Sequence, residues 1–380
     1  PCATLASEDY DVARYRLLGT AHAARCRECG RSSHLIAEAL GACVDCIRDQ
    51  PKRVLPAIQD FHAYSRRAFD LPTEPPQASD GAPCTLCVRQ CRIPESELGY
   101  CALRSNRGGR LSHLAGTRKS GVLQWYYDPL PTNCVAEWVC AEGAHHGYKN
   151  LAVFYGACSF NCLFCQNWSY RDLARARSPL LSAEELADQV DDTTACICYF
   201  GGDPSPQMPH AIAASELALK RAAPRPLRIC WETNGSMNPA VLRHVARLAM
   251  DSGGTVKFDL KAWDDHLHQA LCGISNQRTL ENFAWLADFA KQRPEPPLAV
   301  ASTLLVPGYI DAREVSRIAR FIASIDPAIP YSLLGFHPHF FITNLPTTSR
   351  RHAQECEQAA RDAGLTNVRI GNLHLLSEAY

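Results

Sequence analysis

The chain has no surplus of charge of either sign: 39 Lys and Arg stand against 39 Asp and Glu in 380 residues, a formal net charge of zero. Proteins that hold a nucleic-acid backbone or an anionic bilayer by long-range attraction carry a basic excess, so neither partner is indicated. No apolar run approaches the roughly 20 residues that a membrane-spanning helix needs. The first residues, PCATLASEDYD, have neither the basic nor the apolar region of a secretory leader. A soluble, cytoplasmic protein is the expectation. What the chain has in quantity is cysteine, 19 residues. Many fall into tight C-x2-C and C-x3-C groups in an enzyme-sized chain, the usage of metal binding in a reducing compartment rather than of a disulfide-stapled scaffold. The length allows one large core and a smaller appendage.

The densest group follows a buried-strand pattern. LAVFYGACSFNCLFCQNW, Leu151 to Trp168, is an apolar run that ends at Gly156 and is followed by Cys158, Cys162 and Cys165 at C-x3-C-x2-C spacing. Three thiolates this close on one loop can ligate three corners of a 4Fe-4S cluster and leave the fourth iron open to another ligand. A structural zinc site wants a fourth protein ligand, and the nearest residues, Gln166 and Asn167, are poor ones.

Two further groups precede it. Cys26 and Cys29 pair with Cys43 and Cys46 across thirteen residues whose centre, Ser33 to Leu40, reads as a short helix. Two such knuckles suit tetrahedral zinc, with a cluster as the alternative. Arg25, Arg27, Arg31 and Arg48 are scattered among acids, which favours a structural role over nucleic-acid binding. Cys84, Cys87, Cys91 and Cys101 form a second four-cysteine set, for which zinc and an auxiliary 4Fe-4S cluster are equally reasonable. Cys134 and Cys140 sit near His145 and His146, but C-x5-C is not a diagnostic spacing, and a cysteine pair packed beneath a barrel is the leading reading. Cys2 is isolated. Cys196, Cys198, Cys230, Cys272 and Cys356 lack partners at metal spacing and read as buried thiols.

Downstream of the loop, strand-like runs alternate with helical periodicity. Strands are read at Leu151–Gly156, Ala195–Phe200, Leu227–Glu232, Thr255–Leu260, Leu298–Val306 and Pro330–Phe336, with helices starting near Ser182, Pro209, Asn238, Thr279, Asp311 and Thr347. Six such units predict an α/β fold with a parallel sheet, a partial (β/α)6 barrel rather than a closed eight-stranded one; Val368–Leu373 adds a short strand at an open edge. The expected organisation is a zinc-ribbon-like module over 1–70, a Pro-rich linker over 71–83, a cysteine-rich segment over 84–149 and the barrel over 150–380.

In such a barrel the active site lies at the carboxyl ends of the strands. The second strand ends in Gly201-Gly202-Asp203-Pro204, whose glycines let backbone approach a ligand, although Gly, Asp and Pro also make ordinary turns. The third ends in Glu232, Thr233 and Asn234, able to bond a ribose or a carboxylate or to form a capped turn. Lys257, Asp259 and Lys261 alternate along the fourth and so share a face; charges are costly against the helix layer, which puts them in the lumen. Ser302 and Thr303 lie in the fifth strand, Gly308 at its turn. His337 ends the sixth, where an imidazole can donate or accept, and His339 reads equally as a loop residue.

Together the cysteine loop, its CQN ending with Phe164 before the third cysteine, the GGDP turn and the DLK triplet Asp259 to Lys261 resemble the radical S-adenosylmethionine (SAM) family, in its pyruvate formate-lyase activating enzyme-like branch. The Cys84 to Cys101 segment resembles the cysteine-rich stretch that precedes the cluster loop in several such proteins, including a group associated with Memo-like partners. The resemblance implies a 4Fe-4S cluster on Cys158, Cys162 and Cys165, with SAM on its open iron. Reductive cleavage of SAM would give a 5′-deoxyadenosyl radical that abstracts hydrogen from a protein or other substrate. It implies that Gly201, Gly202 and Asp203 hold the methionine amino group, with Asp203 where the family carries Glu. Thr233 and Asn234 would meet the ribose or carboxylate, and Asp259 and Lys261 would line the SAM and substrate cavity. The Ser302 strand and its Gly308 turn would reach adenine, and His337 the adenosine or substrate. A one-electron reductant of flavodoxin or ferredoxin type and a protein activated by glycyl-radical formation are the implied partners. Modification of a peptide, nucleic acid or metabolite with an auxiliary cluster is the alternative, and a non-catalytic metal-binding scaffold is the alternative of another class.

Overall fold

The computed structural model describes residues 22–132, 134–143 and 145–380; Cys2 lies outside them. The chain opens with β1 (Ala24–Arg25) paired to β2 (Ser32–Ser33), then α1 (Val44–Asp49) and α2 (Pro51–Arg67). Two more small antiparallel pairs follow, β3 (Ala82–Pro83) with β4 (Arg92–Ile93) and β5 (Arg104–Arg107) with β6 (Arg110–His113). The main sheet then begins with β7 (Ser120–Pro129) and β8 (Lys149–Tyr155), succeeded by α3 (Tyr170–Ala176), β9 (Leu180–Ser182), α4 (Ala183–Ala187), β10 (Thr194–Gly201) and α5 (Met208–Ala222). Next come β11 (Arg228–Thr233), α6 (Pro239–Ser252), β12 (Val256–Asp259), α7 (Asp265–Cys272), α8 (Gln277–Ala290) and β13 (Ala299–Leu305). The chain closes with α9 (Ala312–Ile325), β14 (Tyr331–Gly335), α10 (Arg350–Asp362) and β15 (Val368–Gly371).

The sheet order is β15-β14-β13-β12-β11-β10-β8-β7-β9. Across the sheet from β8 through β10 to β15 every pairing is parallel, while β7 and β9 add an antiparallel flank beyond β8, so this is an open, partial barrel with β15 at one edge. The helices start where side chains satisfy their first amides: Ser182 and Glu185 form a reciprocal capping box, and Asn238, Asp311 and Ser349 cap α6, α9 and α10. Alternation sorts the strands. Tyr199 and Trp231 stack under the helices at 4.6 Å and Phe258 meets Phe283 there, so Cys196, Cys198, Cys230 and Lys257 face the lumen. Among the described residues no helix is long and apolar enough to cross a membrane.

Three features depart from the sequence expectations. Ser33 to Leu40 is strand end and turns rather than helix, because its backbone bonds to the barrel. Ala37 N donates to Tyr309 Oη (2.9 Å) and Glu38 N to Asn344 Oδ1 (3.1 Å), while Asn344 Nδ2 donates to Ile36 O (2.9 Å). The helix α2, with Val54, Leu55, Ile58 and His62 buried, is absent from those expectations although its apolar spacing is helical. The stretch from Leu111 to Tyr148, whose sequence reads as short strands and turns, contributes the ten-residue β7, antiparallel to β8.

Candidate active site at the mouth of the barrel

The loop from Gly156 to Trp168 leaves β8 at the carboxyl end of the sheet, and its backbone is tied down from several elements. Asp203 N donates to Ala157 O (2.7 Å), Asn161 N to Cys272 O (3.0 Å) and Leu163 N to Leu271 O (3.1 Å). Arg89, from the second four-cysteine segment, donates to Ser159 O (2.7 Å) and to Gly273 O (3.1 Å). Cys158 and Cys162 are each 8% exposed, and Cys165 is half-buried.

Burial is the main influence raising the Cys158 and Cys165 thiols; for Cys162 a hydrogen bond with Cys272 comes first and burial second. Two cations oppose this. Arg171 lowers Cys165 and Cys162, and Lys261 lowers the same two. Arg171 is fully buried, and among the described residues its Nε and Nη1 have no nitrogen or oxygen partner, while Cys165 is a hydrogen-bonding neighbour of the guanidinium. Burial works against the Lys261 ammonium, but Asp259, 2.9 Å from its Nζ, and then Cys162 outweigh it and raise its pKa. Buried cations facing three thiols fit a group that binds as thiolates.

The strand-end residues fall into two sets. Asp203 is buried and joins the loop to β11: its Oδ1 accepts from Thr233 Oγ1 and Asn234 N, both at 2.8 Å, and its Oδ2 from Ser205 N at 2.8 Å. Asn234 Nδ2 donates to Ser159 Oγ (3.0 Å) and lies 3.8 Å from Cys158 Sγ. Asn167 Nδ2 donates to Gly201 O (3.1 Å). Gly202 has a packing reason to be glycine, because a Cβ there would stand 2.2 Å from Ala157 O. The second set reaches Cys162 through the charge of Lys261: Ser302 Oγ donates to Asp259 Oδ1 (2.7 Å) and Lys261 to Asp259 Oδ2. His337 bonds the carbonyl of Pro338 (2.8 Å). His339 accepts from Trp168 Nε1 (3.0 Å) at the loop's far end. Arg89 and Arg171 are additions to the residues read from sequence, and Cys272, read there as a buried thiol, arrives beside the loop from the end of α7.

The sulfurs of Cys26, Cys29, Cys43 and Cys46 gather within 4.8 Å of one another, with Cys29 and Cys43 at 3.8 Å. A tetrahedron of Zn–S bonds of about 2.3 Å has edges of ~3.8 Å. Burial raises Cys26, but amides of Cys29 and Cys43 outweigh it and bring it down to about 6. Among the described residues no other trio of Cys, His, Asp or Glu gathers as tightly, the Cys84 and Cys158 sets included. That wider spacing suits clusters in which each thiolate takes its own iron. His145, weighed as a partner of Cys134 and Cys140, instead places Nδ1 2.5 Å from Glu142 Oε2 and stacks on Tyr148.

Thiols and buried cations at the carboxyl mouth of a partial α/β barrel fit a cluster-dependent enzyme. Residues 152–322 match the family described as the radical SAM superfamily: this part of the chain carries a radical SAM domain, which implies a 4Fe-4S cluster and SAM, and the chain is an enzyme. Over 301 residues it is 25% identical to uncharacterized protein MJ0808 of Methanocaldococcus jannaschii, covering 76% of this chain and 81% of that protein. It is 36% identical over 138 residues to the isethionate sulfite-lyase activating enzyme of Desulfovibrio desulfuricans, 36% of this chain and 40% of the other. It is 27% identical over 200 residues to the pyruvate formate-lyase 1-activating enzyme of Escherichia coli, 49% and 75% of the two chains.

Proposed function

We propose that this enzyme cleaves SAM reductively and directs the resulting radical at a protein substrate, as an activating enzyme of the glycyl-radical kind. The observation that carries the reading is the placement of Cys158, Cys162 and Cys165 on one tied-down loop facing the buried cations Arg171 and Lys261. When bound, the cluster and SAM supply one-electron cleavage of a sulfonium to methionine and a 5′-deoxyadenosyl radical. The chain's part is to hold and orient. Cys158, Cys162 and Cys165 ligate; Arg171 and Lys261 offset the thiolate charge. The rim of Gly201, Gly202, Asp203, Thr233 and Asn234 receives the methionine end of SAM. Asp259, Lys261, Ser302 and His337 line the side of adenosine and substrate. Cys26, Cys29, Cys43 and Cys46 hold zinc, and a cytoplasmic flavodoxin- or ferredoxin-type protein supplies the electron.

The names of the Desulfovibrio and Escherichia relatives support the activating role. A modifying enzyme with an auxiliary cluster is the second reading, favoured by the wide spacing of Cys84, Cys87, Cys91 and Cys101 and by the Arg89 bonds that tie that segment to the cysteine loop. Anaerobically reconstituted Cys162→Ala protein tests the core of the proposal: loss of 5′-deoxyadenosine formation from SAM is expected, and formation at the wild-type rate would sink it.

A further inference from the structure

Cys196 and Cys198 stand two apart on β10 and share its lumenal face, and the register of β10 with β11 sets Cys230 opposite Cys198. The loop that joins β7 to β8 brings Cys134 and Cys140 to the same place. With Lys257, these five cysteines line one small cavity in the lumen. It lies toward the amino ends of the barrel strands; along β10 from Cys196 to Gly201, at the mouth, is about 16 Å.

The loop is pinned there. Trp138 Nε1 donates to Ser332 Oγ (3.1 Å), Ser332 Oγ donates to Val135 O (2.8 Å), and Arg228 Nε donates to Glu142 Oε1 (2.6 Å). Lys257, 2% exposed, donates to Glu232 Oε1 at 2.8 Å, and reaches Cys134 Sγ at 3.0 Å and Cys198 Sγ at 3.1 Å. Glu232 meets the ammonium with one carboxylate, but the ammonium's two other short contacts are to sulfur, and thiols that merely fill a core have no use for such a donor. At a thiolate centre, N–H donors to the sulfurs are a means of setting its potential. The spacing also discriminates. No three of these sulfurs gather within 4.8 Å, as the Cys26 group does; a single tetrahedral ion wants the tight arrangement, a polynuclear cluster the wide one.

We propose that Cys134, Cys140, Cys196, Cys198 and Cys230 are the ligand pool of a further iron–sulfur cluster at the amino end of the barrel, with Lys257 donating to its sulfurs. Four of the five suffice. Sequence spacing hides the site because its ligands come from two strands and a loop, up to 96 residues apart.

The test is iron and acid-labile sulfide counting on the anaerobically reconstituted full chain, with zinc counted beside them. Cys198→Ser/Cys230→Ser protein is expected to lose about two to four irons and as many sulfides per chain relative to wild type, while dithionite-driven 5′-deoxyadenosine formation persists and shows that the mouth is intact. If the strand variant does not fold, Cys134→Ala/Cys140→Ala, confined to the loop, is expected to show the same loss. Iron and sulfide unchanged in a folded variant would overturn the proposal. So would zinc rather than iron leaving with the cysteines, or free-thiol titration of all five in fully iron-loaded wild-type protein.

Discussion

Arg171 Nη2 donates to Asn161 Oδ1 at 2.8 Å, and both side chains are wholly buried. Among the described residues Arg171 forms no ion pair with a carboxylate; burial lowers its pKa, and Tyr170 and then Cys165 and Cys158 of the cysteine loop outweigh that, so the loop thiolates are the anions it can meet. Removing one partner of a buried pair costs about 3–5 kcal/mol. Arg171→Met is therefore expected to destabilise the cluster-loaded protein by about that much and the apo protein by far less. Denaturant midpoints of the two forms, measured side by side, check this; an equal loss in both would make Arg171 a purely structural residue.

Gly202→Ala probes the contact between the β10 turn and the cysteine loop. The new Cβ would meet the carbonyl oxygen of Ala157 at 2.2 Å, and backbone cannot yield as a flexible side chain does. A cost of about 1–3 kcal/mol is expected, with reduced iron retention because Ala157 adjoins Cys158. Thermal melting together with iron content is the measurement.

Cys272 tests how the loop is tuned. Its thiol bonds Cys162 and is the largest influence on it. Once Cys162 ligates as a thiolate the proton between the two sulfurs can rest only on Cys272, so Cys272→Ala is expected to leave iron per chain unchanged but to lower the cluster's reduction potential, because that S–H donor is lost. A spectroelectrochemical titration reads the shift. A loss of iron would instead make Cys272 a ligand.

Acid should loosen the same region through two histidines. Burial lowers His62 and His268 from 6.5 to about 4. Folding thus favours the neutral rings: their contribution is fully present above pH 6.5 and is lost as the pH falls toward 4, where the unfolded chain takes up protons that the folded one refuses. Each is worth up to about 3 kcal/mol across that window. His62 Nδ1 lies 3.2 Å from Asn161 Nδ2, and His268 packs edge-on against Phe160. Amide exchange in the cysteine loop is expected to accelerate between pH 6 and 4.5, before global unfolding. Replacing either histidine with glutamine should flatten the dependence.

Much of this was legible in the chain because its signals are local. The alternation of apolar strands with capped helices is visible at Ser182, Asn238 and Asp311, and the C-x3-C-x2-C loop carries its own spacing. The shared face of Lys257, Asp259 and Lys261 follows from period two, and the cost of charge against the helix layer turns it to the lumen. What escaped depends on tertiary approach. The stretch from Ser33 to Leu40 has helical spacing, yet Tyr309 and Asn344 claim its backbone groups. Asp203 reads as a ligand contact, whereas the structure also makes it the clamp between two strand ends. Cys196, Cys198 and Cys230 read as isolated because no spacing rule spans a strand register.

The turn at Gly308 has a left-handed backbone, φ +78°, and no room for a side chain, because the carbonyl oxygen of Leu35 would lie 2.1 Å from a Cβ. On the same border Arg48 Nη2 meets the fully buried Glu314 at 2.9 Å, and Tyr309 Oη donates to Ala42 O at 2.9 Å. One flank of the barrel is thus moulded to a neighbour whose own shape hangs on four thiols. With zinc at Cys26, Cys29, Cys43 and Cys46, the oxidation-sensitive chemistry of the barrel becomes hostage to the supply of a redox-inert metal. Chelating zinc, with iron left in place, should first raise hydrogen exchange around Tyr309 and the start of α9, and then lower the melting temperature of the whole chain.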